Sequence, residues 1–385
     1  MTGALFDFHA PEFQADPWAV YRALRERGPV HYSEPARCHV VVGHAAVRDG
    51  LVHEDVVTDF PFRTSRRTFG HNLLDLDGAA HREFRSYLAP LLGPRAVRAL
   101  LRPTLLPLVD EVVDGIEPGR ETPVVAEVSA VIPYRLMCAL MGLPREDAEW
   151  LYARMRPIAG TLDYPPDTSA DVARAKAVVE AYFRGIIAHD RVPPDSMTRR
   201  ILDTMRTAEA GFDVTEILAT FLLVLLAGTE TGIAALTTVL HTLATHPEAY
   251  ARCREGDGAT DVVREALRLR PPVHSVLRFA RRDLRLHGVP VRRREPLLFS
   301  LASANRDGRE FAEPDAFRPL RAEKSSLAFA SGPHACPGLH LAEAELAEIC
   351  TRVARRFTTL TVTPGSDRER GHSFRHAPHL TMTFA

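Results

Sequence analysis

Apolar side chains recur along most of this chain at the spacing of a helix. Over residues 79–208 they return every three or four positions, which is typical of amphipathic helices with one buried face. The longest predicted helix covers residues 213–244 and is apolar through its first half. Further helices are predicted to begin at Asp16-Pro17 and to cover residues 261–269 and 337–357.

Shorter apolar runs bounded by turn-forming residues predict strands. They cover residues 30–32, 38–42, 275–280, 289–291, 296–300 and parts of 360–384. No low-complexity linker separates the strands from the helices. We therefore predict a mainly α protein with a small β-rich part, folded as a single domain over residues 1–385.

Composition narrows the class of protein. The 385 residues carry 48 basic and 49 acidic side chains, a net charge of −1, so no basic excess points to a nucleic-acid partner. Hydrophobic residues make up 45% and charged residues 25% of the chain, as expected for a globular protein with a large core.

The cysteines and the N-terminus bear on the compartment. Five widely spaced cysteines form no paired framework, which fits a reducing cytoplasm. The first residues lack the basic flank and apolar stretch of an export signal. The longest apolar run, residues 217–228, is shorter than the roughly 20 residues that a bilayer requires. We expect a soluble, cytoplasmic protein without a membrane span.

The segment Phe-Ala-Ser-Gly-Pro-His-Ala-Cys-Pro-Gly, residues 329–338, is the most informative in the chain. Glycines and prolines hold its cysteine, Cys336, in a tight loop just before a predicted helix. The positive end of a helix favours the thiolate, which is either a nucleophile or a metal ligand. A zinc site could use His334 and His340 but lacks a fourth nearby ligand. A cysteine hydrolase would need a base that the sequence does not place.

This segment resembles the haem-binding loop of the cytochrome P-450 family, because every fixed position of the family pattern is filled. The resemblance implies haem b (iron protoporphyrin IX) with Cys336 as its axial thiolate ligand. It also implies the fold of that family, with the haem between the long central helix and the helix that follows the cysteine loop.

Two further motifs follow the family's order. Glu265-Ala266-Leu267-Arg268 resembles its Glu-x-x-Arg helix, which holds a buried structural ion pair. A downstream arginine joins that pair in the family, and both Arg318 and Arg321 are candidates here. Neither charge of the pair is expected to take part in catalysis.

The long helix contains Ala-Gly-Thr-Glu-Thr-Gly, residues 227–232, which resembles the family's oxygen-binding signature. Thr231 would hold the oxygen intermediate, and Glu230 would relay protons. Gly228 and Gly232 are expected to clear one helix face for a flat ligand and to permit a local distortion of the helix. The family commonly has Thr or Ser at the position of Gly232.

The remaining haem contacts also come from the resemblance. His81 and Arg85, four apart on a predicted helix, resemble the family's pair that binds the haem propionates. Arg278 and His334 match further propionate contacts. Substrate-pocket walls in the family would include residues 58–74 and 273–277, where His274 and Ser275 could bond a substrate.

The resemblance implies a soluble bacterial-type haem-thiolate monooxygenase. It would hydroxylate or epoxidise a medium-sized organic molecule, a biosynthetic intermediate of secondary metabolism. Electrons would come from a ferredoxin and its NAD(P)H-dependent reductase, because the sequence shows no flavin or iron–sulfur motif. The protein is expected to be a monomer. The alternatives are a haem-binding sensor or carrier without turnover, and a peroxide-driven or oxidative-coupling enzyme.

Overall fold

The computed structural model describes residues 6–7, 9–60, 64–162, 169–189, 191–207, 211–256 and 258–385. The chain divides into two compact units. Unit 1 comprises the described residues of Met1–Phe60, Arg264–Cys336 and Arg370–Arg375. Unit 2 comprises those of Pro61–Val263, Pro337–Glu369 and His376–Ala385. The prediction of a single domain over residues 1–385 stays a prediction.

Helices dominate the described residues. They are α1 (Pro11–Ala15), α2 (Pro17–Arg27), α3 (His44–Val52), α4 (Thr64–Phe69), α5 (Gly78–Leu92), α6 (Pro94–Leu100), α7 (Leu106–Gly115), α8 (Val131–Met141), α9 (Asp147–Ala159), α10 (Ala170–Ala188), α11 (Met197–Thr207), α12 (Val214–Thr245), α13 (Pro247–Glu255), α14 (Ala259–Leu269), α15 (Leu301–Ala304) and α16 (Leu339–Arg356). Short 3₁₀ turns cover Leu73–Asp75 and Gly160–Leu162, and π turns cover Leu101–Leu105 and Val125–Ser129.

The strands are short. They are β1 (Val30–Ser33), β2 (Cys38–Val41), β3 (Val56–Val57), β4 (Glu121–Pro123), β5 (Ser275–Ala280), β6 (Leu284–Leu286), β7 (Val289–Val291), β8 (Pro296–Ser300), β9 (Leu360–Val362) and β10 (Thr381–Phe384). The mainly α prediction with a small β-rich part is therefore confirmed.

Unit 1 is built on a five-stranded sheet in the order β1-β2-β8-β5-β3. Its neighbours pair antiparallel except β2 and β8, which run parallel with His39 opposite Leu297. A core of aliphatic side chains and Phe299 packs on this sheet. Helix α2 begins as predicted, because the Asp16 side chain accepts hydrogen bonds from the backbone N–H groups of Trp18 and Ala19.

Unit 1 also contains the predicted Glu-x-x-Arg pair as a fully bonded, buried charge cluster. Arg268 donates to both oxygens of Glu265, at 2.8 and 2.9 Å, and also to the backbone carbonyl oxygen of Asn305. The third member is Arg321, whose Nε lies 2.9 Å from Glu265 Oε2. The Arg318 side chain binds Glu313 instead, although its backbone N–H donates to Glu265.

Unit 2 is organised around α12. The Asp213 side chain accepts from the Glu216 backbone while the Glu216 side chain accepts from the Asp213 backbone, a capping box that fixes the helix start. Helix α12 is the one described helix long and apolar enough to pass a test for membrane spans, yet 67% of its apolar window is buried inside the protein. This burial is typical of a core helix.

The elements of unit 2 differ from the prediction in two places. The helical periodicity over residues 79–208 is interrupted by strand β4, which pairs with β10, and residue 208 lies outside the described residues. The tail over 360–384 forms only β9 and β10, with turns between them. In both places a strand of three or four residues is too short to show a periodicity of its own.

Candidate active site

Cys336 is held in a hydrogen-bonded loop at the end of unit 1. Its backbone N–H donates to the Phe329 carbonyl oxygen at 2.9 Å, and the Ala335 N–H donates to the Gly332 carbonyl at 3.0 Å. The thiol of Cys336 is exposed, whereas the other four cysteines are buried. The loop therefore presents an exposed cysteine, a side chain that could bind a metal ion.

Glycine is required inside this loop. Gly332 has a φ of +75°, in the left-handed region that side chains disfavour. A Cβ at this position would lie 2.7 Å from the backbone oxygen of Leu51, which cannot move aside. Gly332 thus fixes the path of the chain towards Cys336.

Helix α12 is buried along most of its length but leaves an open stripe at its middle. The stripe consists of Val224, Ala227 and Thr231, at positions i, i+3 and i+7 of one face. Ala227 is exposed, and the other two are half-buried. Small and apolar side chains at this spacing suit a broad, flat, apolar ligand.

Gly228 and Gly232 face a different neighbour from the one predicted. A Cβ on Gly228 would lie 2.5 Å from Met137 Sδ, and one on Gly232 would lie 3.2 Å from Pro133 Cβ. Both contacts are on α8, so these glycines let α8 approach α12 closely. The prediction that they clear a face for a flat ligand is wrong, because a protein helix occupies that face.

The predicted distortion of α12 is also absent. The helix runs without a break through residues 227–232. The Thr231 hydroxyl donates to the Ala227 carbonyl oxygen at 2.7 Å, one turn earlier. This bond uses the hydroxyl proton within the helix and leaves the Thr231 oxygen lone pairs to accept another bond.

Glu230 points to α8. The Tyr134 hydroxyl donates to Glu230 Oε1 at 2.9 Å. Burial raises the pKa of Glu230, while the Tyr134 hydrogen bond and the charge of Arg156 act in the opposite direction. The net result is a pKa above that of an exposed glutamate, which favours the protonated carboxyl.

The four predicted propionate contacts lie on three elements. His81 and Arg85 lie four apart on α5, with His81 only 3% exposed. Arg278 is buried in β5 opposite Leu297, and its guanidinium donates to the Leu277 carbonyl oxygen. His334 lies half-buried in the cysteine loop. Arg278 and His334 share unit 1 with Cys336, and His81 and Arg85 share unit 2 with Glu230 and Thr231.

The structure also bears on the zinc hypothesis. Among the described residues, no group of three or more His, Cys, Asp or Glu side chains could hold a metal ion, which argues against zinc at Cys336.

His274 and Ser275 were predicted to contact a substrate. His274 is 1% exposed and packs against Trp18, with ring centroids 5.0 Å apart. Ser275 Oγ lies 3.0 Å from Ser373 Oγ. Both side chains are thus engaged inside unit 1 rather than presented to a substrate.

Tyr134 was not identified from the sequence. It lies in an apolar helix, where periodicity marks it as a core residue, and it is indeed 1% exposed. The only signal is the pattern Pro-Tyr-x-x-Met at residues 133–137, whose significance depends on the two glycines of α12 opposite it. Such a pairing of helices is not visible in one sequence.

Comparison with known proteins identifies the family. The cytochrome P-450 family matches residues 161–256 and 259–378. Pentalenic acid synthase from Streptomyces avermitilis is 31% identical over 345 residues, covering 86% of this chain and 84% of its own. The chain belongs to the cytochrome P-450 family and is a haem-dependent monooxygenase.

Solved structures agree with this assignment. CalO2 superposes with a TM-score of 0.89 at 26% identity and covers 99% of both chains. Cytochrome P450epoK bound to epothilone D superposes with a TM-score of 0.86 at 25% identity and covers 98% of both chains. The predicted fold is therefore confirmed.

Proposed function

We propose that this monooxygenase hydroxylates or epoxidises a medium-sized organic intermediate of secondary metabolism. The names of similar proteins support this substrate class, since one relative is a pentalenic acid synthase and one structural neighbour binds epothilone D. The observation that carries the catalytic part is Cys336, the exposed thiol in a loop anchored by Phe329 and Gly332.

Each unit presents residues that suit a haem group. In unit 1, Cys336 would supply the thiolate ligand. In unit 2, the open stripe of Val224, Ala227 and Thr231 would contact the ring system. His81, Arg85, Arg278 and His334 would bind the two propionates through charge-assisted hydrogen bonds. When bound, the group supplies the activation of dioxygen, favoured by electron donation from the thiolate.

Glu230 and Thr231 would control protons. Dioxygen cleavage consumes two protons, and they must arrive while bulk water is excluded. The Thr231 hydroxyl donates its hydrogen bond to the Ala227 carbonyl oxygen. Its oxygen, Oγ1, can therefore still accept a hydrogen bond from a neighbouring proton donor. Glu230 would be the group that delivers protons from its partly buried carboxyl.

Electrons would come from a ferredoxin with its NAD(P)H-dependent reductase, acting on a monomer in the cytoplasm. A small acidic ferredoxin would be attracted by local positive charge, since the net charge is only −1. Arg82 is one such residue, exposed on the helix that carries His81 and Arg85.

Replacing the cysteine tests the haem ligand. Cys336→Ser is expected to abolish the thiolate-type spectrum of the reduced carbon monoxide complex, because a hydroxyl does not replace a thiolate on iron. Cys38→Ser is the control, since Cys38 is buried in β2 of the same unit. An unchanged spectrum in Cys336→Ser would exclude this residue as the ligand.

A further inference from the structure

The carboxyl of Glu230 has one hydrogen-bonding side chain beside it that the family resemblance does not assign. That side chain is Tyr134, at 2.9 Å. The contact depends on the close approach of α8 to α12, which Gly228 and Gly232 permit. Pro133, Tyr134 and Met137 are neighbours on α8, so the glycine contacts and the tyrosine contact are made by the same stretch of helix.

A second tyrosine packs against Tyr134 within unit 2. The Tyr152 ring, on α9, meets the Tyr134 ring edge to face with centroids 5.3 Å apart. Tyr134 is 1% exposed, whereas Tyr152 is half-buried. Arg156 follows Tyr152 by one helical turn and is exposed. The Tyr152 ring thus helps to hold the Tyr134 side chain in place, and exposure increases from Tyr134 through Tyr152 to Arg156.

The chemistry of Tyr134 suits a neutral donor to the carboxyl. A phenol hydroxyl both donates and accepts hydrogen bonds. Burial raises the pKa of Tyr134 well above its ordinary value, and the neighbouring Glu230 charge raises it further. Tyr134 thus stays neutral. The groups acting on the Glu230 carboxyl are Tyr134 from α8 and Arg156 from α9, with Tyr152 beside them.

We propose that Tyr134 is the positioning residue of Glu230, and that its hydrogen bond holds the carboxyl in the orientation that proton relay requires. The proposal rests on the proposed proton-relay function of Glu230. It assigns the orientation of that carboxyl to α8, the helix on which Tyr134 lies.

The test uses the haem-loaded enzyme and deletes single hydroxyl groups. Tyr134→Phe keeps the ring packed against Tyr152 and removes the hydroxyl, and with it the bond to Glu230 and the contact with Thr229. Tyr182→Phe is the matched control, because Tyr182 also donates to a carboxylate, Asp147, at 2.7 Å. The first readout is the infrared band of the protonated Glu230 carboxyl against pH, assigned by its disappearance in Glu230→Gln.

Tyr134→Phe is expected to move the midpoint of that infrared titration upward, because it removes a bond that favours the charged carboxylate. Product formed per electron should fall about fivefold, the loss expected for one hydrogen bond of ~1 kcal/mol. Tyr182→Phe should change neither. A Tyr134→Phe enzyme with the midpoint and coupling of Tyr182→Phe would overturn the positioning role.

Tyr152→Phe and Arg156→Gln separate the hydrogen bond from the surroundings of the carboxyl. Tyr152→Phe keeps the ring contact with Tyr134 and should leave the infrared midpoint and the product per electron unchanged. Arg156→Gln should shift the midpoint upward by less than Tyr134→Phe does, and salt should erase its shift because the charge is exposed. A shift in either variant as large as that in Tyr134→Phe would overturn the positioning role.

Failure of the proposed function gives a different pattern. If Glu230→Gln keeps the wild-type product per electron, then Glu230 is not the proton relay. The infrared shift in Tyr134→Phe would then still report the hydrogen bond, while its role in positioning a proton relay would be overturned. The infrared titration of Tyr134→Phe thus tests the hydrogen bond to Glu230. The product formed per electron in Glu230→Gln tests whether Glu230 relays protons.

Discussion

Two carboxyl groups in the two units have opposite surroundings. Glu265 in unit 1 accepts hydrogen bonds from both Arg268 and Arg321 and from one backbone N–H. Glu230 in unit 2 accepts one bond from the neutral Tyr134 hydroxyl. Two guanidinium groups thus surround the first carboxylate, whereas the second lies beside a neutral donor and burial raises its pKa.

The difference lies in the charge and number of the partners. Two guanidinium groups and a backbone N–H bind Glu265 into the fold of unit 1. A carboxyl with one neutral partner can change its protonation state with little rearrangement, which is what the proposed role of Glu230 requires. Three tests address this contrast, in order of decreasing expected effect.

The largest expected effect is at the charge cluster. Arg268→Met removes one of the two guanidinium partners and should lower the free energy of unfolding by about 3–5 kcal/mol, because a buried carboxylate is left undercompensated. Urea unfolding measures this change. Arg318→Met is the matched control: its exposed side chain pairs with Glu313, and its loss should cost less than about 1 kcal/mol. An equal loss of unfolding free energy in Arg268→Met and Arg318→Met would contradict the distinction between the two arginines.

The next effect is expected at Glu345, an extreme case of a buried carboxyl. It lies on α16 with 6% exposure, and its Oε1 has no hydrogen-bond partner among the described residues. Burial raises the pKa of Glu345 to about 8. The folded state therefore prefers the protonated form, and the stability this gives is lost as pH rises from about 4.5 towards 8.

Glu345→Gln should remove this pH dependence. Between pH 6 and pH 9 the stability of the variant relative to the wild type should rise by about 2–3 kcal/mol, as measured by urea unfolding at each pH. Glu348→Gln, three residues later on the same helix and half-buried beside Arg352, is the control. Parallel pH profiles for wild type and Glu345→Gln would show that this carboxyl is ionised in the fold.

The smallest change in stability is expected at Thr231. Thr231→Ala loses only a bond within the helix, so folding and haem binding should be retained. Product per electron should fall and hydrogen peroxide should rise, because proton delivery is no longer directed. Thr237→Ala is the control, since Thr237 makes the same bond to the Ile233 carbonyl two turns along. Wild-type coupling in Thr231→Ala would exclude its proposed role.

The sequence predicts the fold well where a signal is local. The start of α12 at Asp213, the strands 275–280 and 296–300 and the loop around Cys336 all depend on caps, turns and periodicity within a few residues. The choice of Arg321 over Arg318 is not local, because it depends on which of the two side chains the fold brings to Glu265, more than 50 residues earlier in the chain.

The error at Gly228 and Gly232 has the same origin. Two glycines four apart predict a cleared helix face, but the sequence does not say what fills it. Here the filling element is α8, which is separated from α12 by more than two helices in the chain. Tyr134 was not identified for the same reason, because its proposed function, the positioning of Glu230, depends on the packing of α8 on α12.

The parallel pairing of β2 with β8 sets the order in which the chain can fold during synthesis. Residues 38–41 leave the ribosome long before residues 296–300, on the order of ten to fifty seconds earlier at about 5–20 residues per second. Unit 1 is completed later still, because the Arg375 backbone and side chain bond the carbonyl oxygens of Pro272 and Gln14. The β1–β2 hairpin therefore keeps its apolar face uncovered until most of the chain has been made. During that time it requires protection from aggregation.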